Sequence, residues 1–146
     1  MRHPIPLLVA LLGVAAAGLS ARCARAEGST GAPYTIKPRL VRSADGTGQA
    51  TVAIQVAPGW HWNADYPFSL EVGESRGATL AKSKFGGGDV KVADGGASAT
   101  VSLGATGKTE PDAHLKGLIN FGVCDAKVCQ FCRKCAVEWT VEAGTP

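Results

Sequence analysis

The sequence predicts an all-β fold, namely an antiparallel β-sandwich of seven or eight short strands. Apolar and polar residues alternate along several short segments, most clearly between residues 49 and 56. Turn signals such as Pro58-Gly59 and Asp94-Gly95-Gly96 recur about every ten residues. No helical periodicity of useful length follows residue 26. Short strands with regularly spaced turns are typical of an immunoglobulin-like sandwich.

The sequence predicts eight strands, and two of them have distinctive residues. The first is expected at a sheet edge, because Pro38 has no backbone N–H to donate to a ladder. The third follows an aromatic segment and places Phe68, Leu70 and Val72 on one side. In chain order, the predicted strands cover residues 34–41, 49–56, 68–72, 78–85, 90–93, 97–103, 118–123 and 136–141.

The N-terminus has the pattern of a secretory signal peptide. Arg2 precedes an apolar run over residues 5–19, and Ala24-Arg25-Ala26 fits a signal-peptidase site. We therefore predict cleavage after about Ala26, a flexible leader over 27–33 and one domain over 34–146. The apolar run is shorter than the roughly 20 residues that a membrane span needs, and no later segment is apolar enough. The mature chain is expected to be periplasmic or secreted, with no membrane span.

The charge of the mature chain limits its partners. Removal of residues 1–26 takes away three arginines, so the 15 basic residues fall to 12 and equal the 12 acidic residues. A neutral chain argues against nucleic acid or an anionic membrane as partner. We also expect no cofactor.

Four of the five cysteines, Cys124, Cys129, Cys132 and Cys135, lie between the last two predicted strands. A four-residue loop would place Cys124 opposite Cys129, close to the separation that a disulfide needs. Continued evenly, that register would point the even-numbered residues of the last strand inward, whereas its apolar residues 137, 139 and 141 are odd-numbered. The sequence therefore predicts a one-residue bulge between Phe131 and Cys135.

Three hypotheses explain the cysteines. The first is structural: Cys124 pairs with Cys129, while Cys132 and Cys135 are paired or free. A disulfide that closes about six residues stabilises by only about 2 kcal/mol, against nearly 5 for a loop of about a hundred. A chain in need of a covalent link would gain more from joining its two sheets. This hypothesis therefore explains the clustering poorly.

The second hypothesis is thiol–disulfide exchange, in which one thiolate attacks a partner disulfide and a neighbouring cysteine resolves the intermediate. A positive neighbourhood favours the attacking thiolate. Lys127, Arg133 and Lys134 flank Cys129 and Cys132, whereas Asp125 adjoins Cys124. Cys129 is therefore predicted to engage the partner and Cys124 to resolve. Cys132 and Cys135 are a candidate second pair if the bulge brings them together.

The third hypothesis is a metal site that uses all four thiolates, with zinc or Cu(I) preferred because thiolates are soft ligands. The spacing of the four cysteines matches neither a ferredoxin pattern nor a zinc ribbon, so the metal site is the least favoured of the three hypotheses. In the aromatic segment, Trp60 and His61 are candidate auxiliary residues. Large aromatic side chains more often fill a core, and a lone histidine is more often a surface residue than a ligand.

Three segments carry a resemblance to a known family: Gly122-Val-Cys-Asp-Ala-Lys-Val-Cys129, Ala136-Val-Glu-Trp-Thr-Val141 and Pro58-Gly-Trp-His-Trp-Asn63. The chain resembles the N-terminal domain of the thiol:disulfide interchange protein DsbD and related stand-alone exported domains. The cysteine pair here is spaced one residue closer, and Cys132 and Cys135 have no counterpart in the family pattern.

The resemblance implies an immunoglobulin-like domain that passes electrons between thioredoxin-like periplasmic proteins. It also implies that the second cysteine of the pair, Cys129, forms the mixed disulfide. In the family an aromatic residue on a loop covers the cysteines, and we expect Phe85 to be that cap.

Overall fold

Nine β-strands form two antiparallel sheets in the computed structural model, which describes residues 31–142. Two short 3₁₀ turns, at Gly87–Asp89 and Asp94–Gly96, flank the sixth strand. In chain order the strands are β1 (Tyr34–Arg42), β2 (Thr47–Val56), β3 (His61–Trp62), β4 (Ser69–Arg76), β5 (Lys84–Gly86), β6 (Val90–Ala93), β7 (Ser98–Lys108), β8 (His114–Cys124) and β9 (Cys129–Thr140).

The first sheet has the strand order β1-β2-β7-β6. β1 lies at its edge, where Pro38 is in register with Val52 of β2. The missing N–H of proline costs nothing at that position, because only one side of an edge strand is paired. Ala50, Val52 and Ile54 are fully buried and line the inner face of this sheet.

The second sheet is built around β8. β9 pairs with one edge of β8 along its whole length. β4 and then β3 pair with the other edge, and β5 extends the sheet beyond β4. The inward residues of β8 alternate with outward ones, and four of them, Leu115, Ile119, Phe121 and Val123, have no exposed surface.

The core lies between the two sheets and includes a polar link across it. Trp139 of β9 is 1% exposed, and its indole N–H donates to the Thr51 carbonyl oxygen of the other sheet at 2.7 Å. Trp62 stacks on Phe121 with ring centroids 5.5 Å apart. The hydrogen bond therefore joins the two sheets, whereas the Trp62–Phe121 stack lies within the second sheet, between β3 and β8.

The prediction of an all-β sandwich is confirmed, and seven of the eight predicted strands overlap observed strands over most of their length. Several observed strands are longer than predicted, most of all β9, which begins seven residues before the predicted 136, and β3 was not predicted. The predicted strand 78–85 is wrong over most of its length, because only Lys84 and Phe85 of it are paired, in β5. Residues 78–83 cross between the sheets: Thr79 O accepts from Gly107 N of β7, and Ser83 O accepts from Val72 N of β4.

Two predictions fall outside the described residues. The signal peptide over 1–26 lies there entirely, and so does most of the leader over 27–33. Within residues 31–142, no helix is long and apolar enough to cross a membrane.

Candidate functional site

The candidate site is the hairpin of β8 and β9, whose register agrees with the prediction at its tip. Cys124 is opposite Cys129, Val123 is opposite Gln130, and Phe121 is opposite Cys132. The four residues 125–128 form the connecting turn. The sequence therefore identified both the loop and the pairing of its flanking cysteines.

The predicted bulge is present. The register shifts between Ile119, which is opposite Cys135, and Phe121, so that Asn120 faces both Arg133 and Lys134. Lys134 has a φ of 52°, in the left-handed region, and its N–H donates to the Asn120 side-chain oxygen at 2.8 Å. The extra residue bends the strand and restores the inward direction of residues 137 and 139.

The cysteines form two disulfides. The Cα atoms of Cys124 and Cys129 are 4.0 Å apart, and those of Cys132 and Cys135 are 5.8 Å apart. Residues three apart on a regular strand point to opposite faces, so the second pair forms only because the bulge inserts a residue between them.

The two disulfides lie on opposite faces of the second sheet. Cys132 and Cys135 are opposite inward residues of β8, and Cys132 is 1% exposed with its sulfur 3.7 Å from Ile119 O. Cys124 occupies an outward position of β8, and Cys129 shares its face because opposed residues point the same way. The inner pair is packed against the core, whereas the outer pair borders solvent.

Exposure differs within the outer pair. Cys129 is exposed, whereas Cys124 is 8% exposed. A molecule approaching from solvent therefore reaches Cys129 before Cys124. This asymmetry agrees with the roles that the charges around the two cysteines predict.

Asp125 shapes the turn between the paired cysteines. One of its carboxylate oxygens accepts hydrogen bonds from the backbone N–H groups of Lys127 and Val128, each at 2.7 Å. Its own N–H donates to Val128 O at 2.9 Å. The N–H groups of Val128 and Lys127 lower the pKa of Asp125, and the charge of His61 adds a smaller effect. Asp125 is thus an anion fixed beside Cys124, while Lys127 is exposed at the turn.

His61 lies beside the outer disulfide. It is in register with Cys124 across the β3–β8 pair, as Cys129 is across the β8–β9 pair. The three residues therefore form one row across three strands and share the outward face. The sequence singled out His61 as a candidate, but it gave no indication of this position.

Aromatic side chains cover the hairpin next to the disulfide. Phe131, opposite Gly122, packs against Tyr66 with ring centroids 4.6 Å apart and ring planes tilted by 31°. A Cβ atom at Gly122 would lie 2.9 Å from Phe131 Cδ1 and 3.2 Å from Tyr66 Cβ, so glycine is needed for this contact. Arg133 places its guanidinium 5.6 Å from the centre of the Phe131 ring. No signal in the sequence singled out Phe131 as part of the site.

Phe85 does not lie where a cap would have to be. It is 4% exposed in the core, in register with Leu70, which pairs in turn with Ile119 of β8. Two strand spacings and five residues along β8 separate it from Cys124, a distance on the order of 20 Å. The apolar character of Phe85 serves the core. Trp60 is half-buried and packs against the core, as large aromatics usually do.

The structure does not support a metal site that uses all four cysteines. Their sulfurs are paired in disulfides, and the two pairs lie on opposite faces of the sheet. Among residues 31–142, no group of three or more histidine, cysteine, aspartate or glutamate residues could hold a metal ion.

Comparisons with protein-family models, with curated proteins and with solved structures each found no match.

Proposed function

We propose that this chain is an exported module for thiol–disulfide exchange, which passes electrons to or from thioredoxin-like partners through Cys124 and Cys129. The observation that carries the proposal is the asymmetry of the outer disulfide. An exposed Cys129 is bonded to a buried Cys124 at the end of a hairpin. Exchange needs one sulfur that a partner can reach and a second that is held close to resolve the intermediate.

The charges at the tip support the same assignment of roles. Lys127 is exposed in the turn, two residues before Cys129, and positive charge favours a thiolate. Arg133 and Lys134 are also exposed but lie four and five residues further along β9, roughly 13 Å or more away, so their effect is weaker. Asp125 is a fixed anion next to Cys124 and disfavours the thiolate there. In the reduced module, Cys129 would therefore be the first sulfur to attack a partner disulfide.

The compartment is part of the proposal. Two disulfides in so short a segment suit an oxidising environment, as the periplasm and the extracellular space provide. The resemblance to the N-terminal domain of DsbD points to periplasmic thioredoxin-like proteins as partners.

A trapping experiment tests the proposal. A single-cysteine thioredoxin, activated as a mixed disulfide with thionitrobenzoate, is mixed with the reduced Cys124→Ala variant. We expect release of thionitrobenzoate and a stable complex joined through Cys129, mapped by mass spectrometry. The matched Cys129→Ala variant should react at least about tenfold more slowly when Cys132 and Cys135 stay paired in both variants, because its unpaired sulfur, that of Cys124, is buried. Equal rates, or no complex with either variant, would contradict the proposal.

A non-catalytic domain with a structural disulfide is the second candidate, and the burial of Cys124 favours it. The reduction potential separates the two functions. An exchanging pair is expected between about −180 and −270 mV, the range of working oxidoreductases, whereas a structural disulfide resists reduction below about −300 mV. The protein is equilibrated in glutathione buffers and its free thiols are mapped. This gives the reduction potential of the Cys124–Cys129 pair separately from that of Cys132 and Cys135.

A further inference from the structure

Three residues from separate elements meet at the outer disulfide. His61 comes from β3, Cys124 from the end of β8 and Asp125 from the turn. Opposed residues on neighbouring strands have Cβ atoms roughly 4.5–5.5 Å apart, which brings an imidazole within reach of the facing sulfur. The charge of His61 also acts on the Asp125 carboxylate.

The backbone around His61 is held on both sides. Asn63 N donates to Gly122 O at 2.9 Å, which keeps the chain against β8 just beyond β3. On the other side, a Cβ atom at Gly96 would lie 3.1 Å from both His61 Cβ and Trp62 N, so the 3₁₀ turn packs directly against β3. Trp62 itself is buried in the core. His61 is therefore presented from a fixed backbone although its side chain is exposed.

Cys124 needs help to become a nucleophile. Its thiol is buried, and burial disfavours the charged thiolate. The adjacent anion Asp125 disfavours it further. A resolving cysteine must nevertheless lose its proton before its sulfur can attack.

We propose that His61 accepts the proton of the Cys124 thiol in the resolving step and that Asp125 stabilises the imidazolium so formed. The inference deepens the proposed exchange function and rests on it. Nucleophile, base and orienting carboxylate then form the arrangement by which cysteine nucleophiles are commonly activated.

The resolving step exchanges one disulfide for another. After Cys129 has attacked a partner disulfide, the mixed disulfide joins Cys129 to the partner. The Cys124 proton moves to the imidazole, and the Cys124 sulfur bonds to the Cys129 sulfur. The bond between Cys129 and the partner breaks, and the partner sulfur leaves as a thiolate that takes up a proton. Two electrons have then passed to the partner, and the module is oxidised. Electron flow in the opposite direction uses the same imidazolium to protonate Cys124 as it leaves.

Few other ionisable groups face His61. β8 contributes Cys124, β9 contributes Cys129, and the turn between them contributes Asp125. The 3₁₀ turn against β3 carries Asp94. The segment of β7 that follows this turn, residues 98–101, has no ionisable side chain. The turn between β8 and β9 also carries Lys127, whose ammonium group is exposed, so the imidazolium lies among two carboxylates, the two cysteines and Lys127.

The test follows the ionisation of Cys124 directly. In a Cys129→Ser background, alkylation of Cys124 by iodoacetamide is measured against pH, and the modified peptide is quantified by mass spectrometry with Cys132 and Cys135 still paired. Replacement of His61 by glutamine should raise the pH midpoint of alkylation by about one unit and slow the reaction about tenfold at neutral pH. A rise smaller than about 0.3 unit would overturn the proposal.

His114 provides a matched control. It lies at the other end of β8, on the same face, with its Nε2 atom 3.5 Å from Glu138 Oε2. His114→Gln in the same background should leave the midpoint unchanged, and an equal rise in both variants would refute a local effect of His61. Far-UV circular dichroism checks that each variant is folded.

The outcome is independent of the exchange assay. If thioredoxin is not trapped by the Cys124→Ala variant, the proposed function fails, while the alkylation profile still reports whether His61 controls the Cys124 thiol. If trapping succeeds and the profile does not shift, the exchange function stands and the role of His61 is refuted.

Discussion

Replacement of Lys134 by glycine should stabilise the protein. Lys134 has a φ of 52° in the bulge, and the left-handed region costs a residue with a Cβ atom about 1–2 kcal/mol. Glycine avoids that cost but makes the unfolded chain freer, which offsets about 0.4–1 kcal/mol. The disulfide between Cys132 and Cys135 limits this freedom, because it closes the segment in the unfolded chain as well. The Lys134 side chain is exposed, so little packing is lost. We expect a net gain of about 1 kcal/mol, which raises Tm by about 4 °C.

Urea denaturation and thermal melts with both disulfides intact measure this change. The matched control is Arg133→Gly, at the other bulge residue, which has no positive φ. Glycine there loses the contact with Phe131 and frees the unfolded chain, so we expect a loss of about 1 kcal/mol. If Lys134→Gly destabilised the protein as much as the control, the account of the bulge would be wrong.

Two further predictions concern the turn and the core. Asp125→Ala should lower Tm at neutral pH, because the folded state favours the carboxylate and lowers its pKa below the ordinary 3.8. That contribution is complete above the unfolded pKa and is lost as pH falls through the folded one, so the Tm difference should shrink under acid conditions; a constant difference would contradict it. Phe85→Ala should cost about 3–5 kcal/mol in urea titrations, as a buried phenylalanine does. At a temperature where the variant is folded, Cys129 alkylation after reduction should keep its rate, and a faster reaction would restore the idea of a cap.

The hairpin shows how far the sequence could predict this structure. Two observations required different residues of the last strand to point inward. The loop between Cys124 and Cys129 required the even-numbered residues to do so, whereas the apolar residues Val137 and Trp139 required the odd-numbered ones. Only an inserted residue resolves that conflict, so the bulge was predictable without coordinates. The other strands were predictable because apolar and polar residues alternate along a strand that has one buried face.

Other features depend on contacts between distant parts of the chain. Residues 78–83 were predicted as part of a strand, yet the carbonyl groups of Thr79 and Ser83 bond to β7 and β4 at a crossing between the sheets. The strand β3 has only two residues, too few for any periodicity to place His61 in register with Cys124. Phe85 was assigned to the cysteines by analogy, whereas its partner Leu70 belongs to the core.

The inner disulfide depends on the number of residues between its two cysteines more than on which residues these are. Two residues separate Cys132 from Cys135, and one of them is the extra residue of the bulge. Deletion of either would remove the bulge and leave the two cysteines two residues apart on a regular strand, on the same face but with Cα atoms roughly 6.8 Å apart, at the upper limit for a disulfide. Many side chains could replace Arg133. Among homologous sequences, insertions and deletions between Cys132 and Cys135 should therefore be rarer than exchanges of Arg133. Insertion or deletion of one residue in this segment would therefore disturb the inner disulfide more than the loss of several exposed side chains.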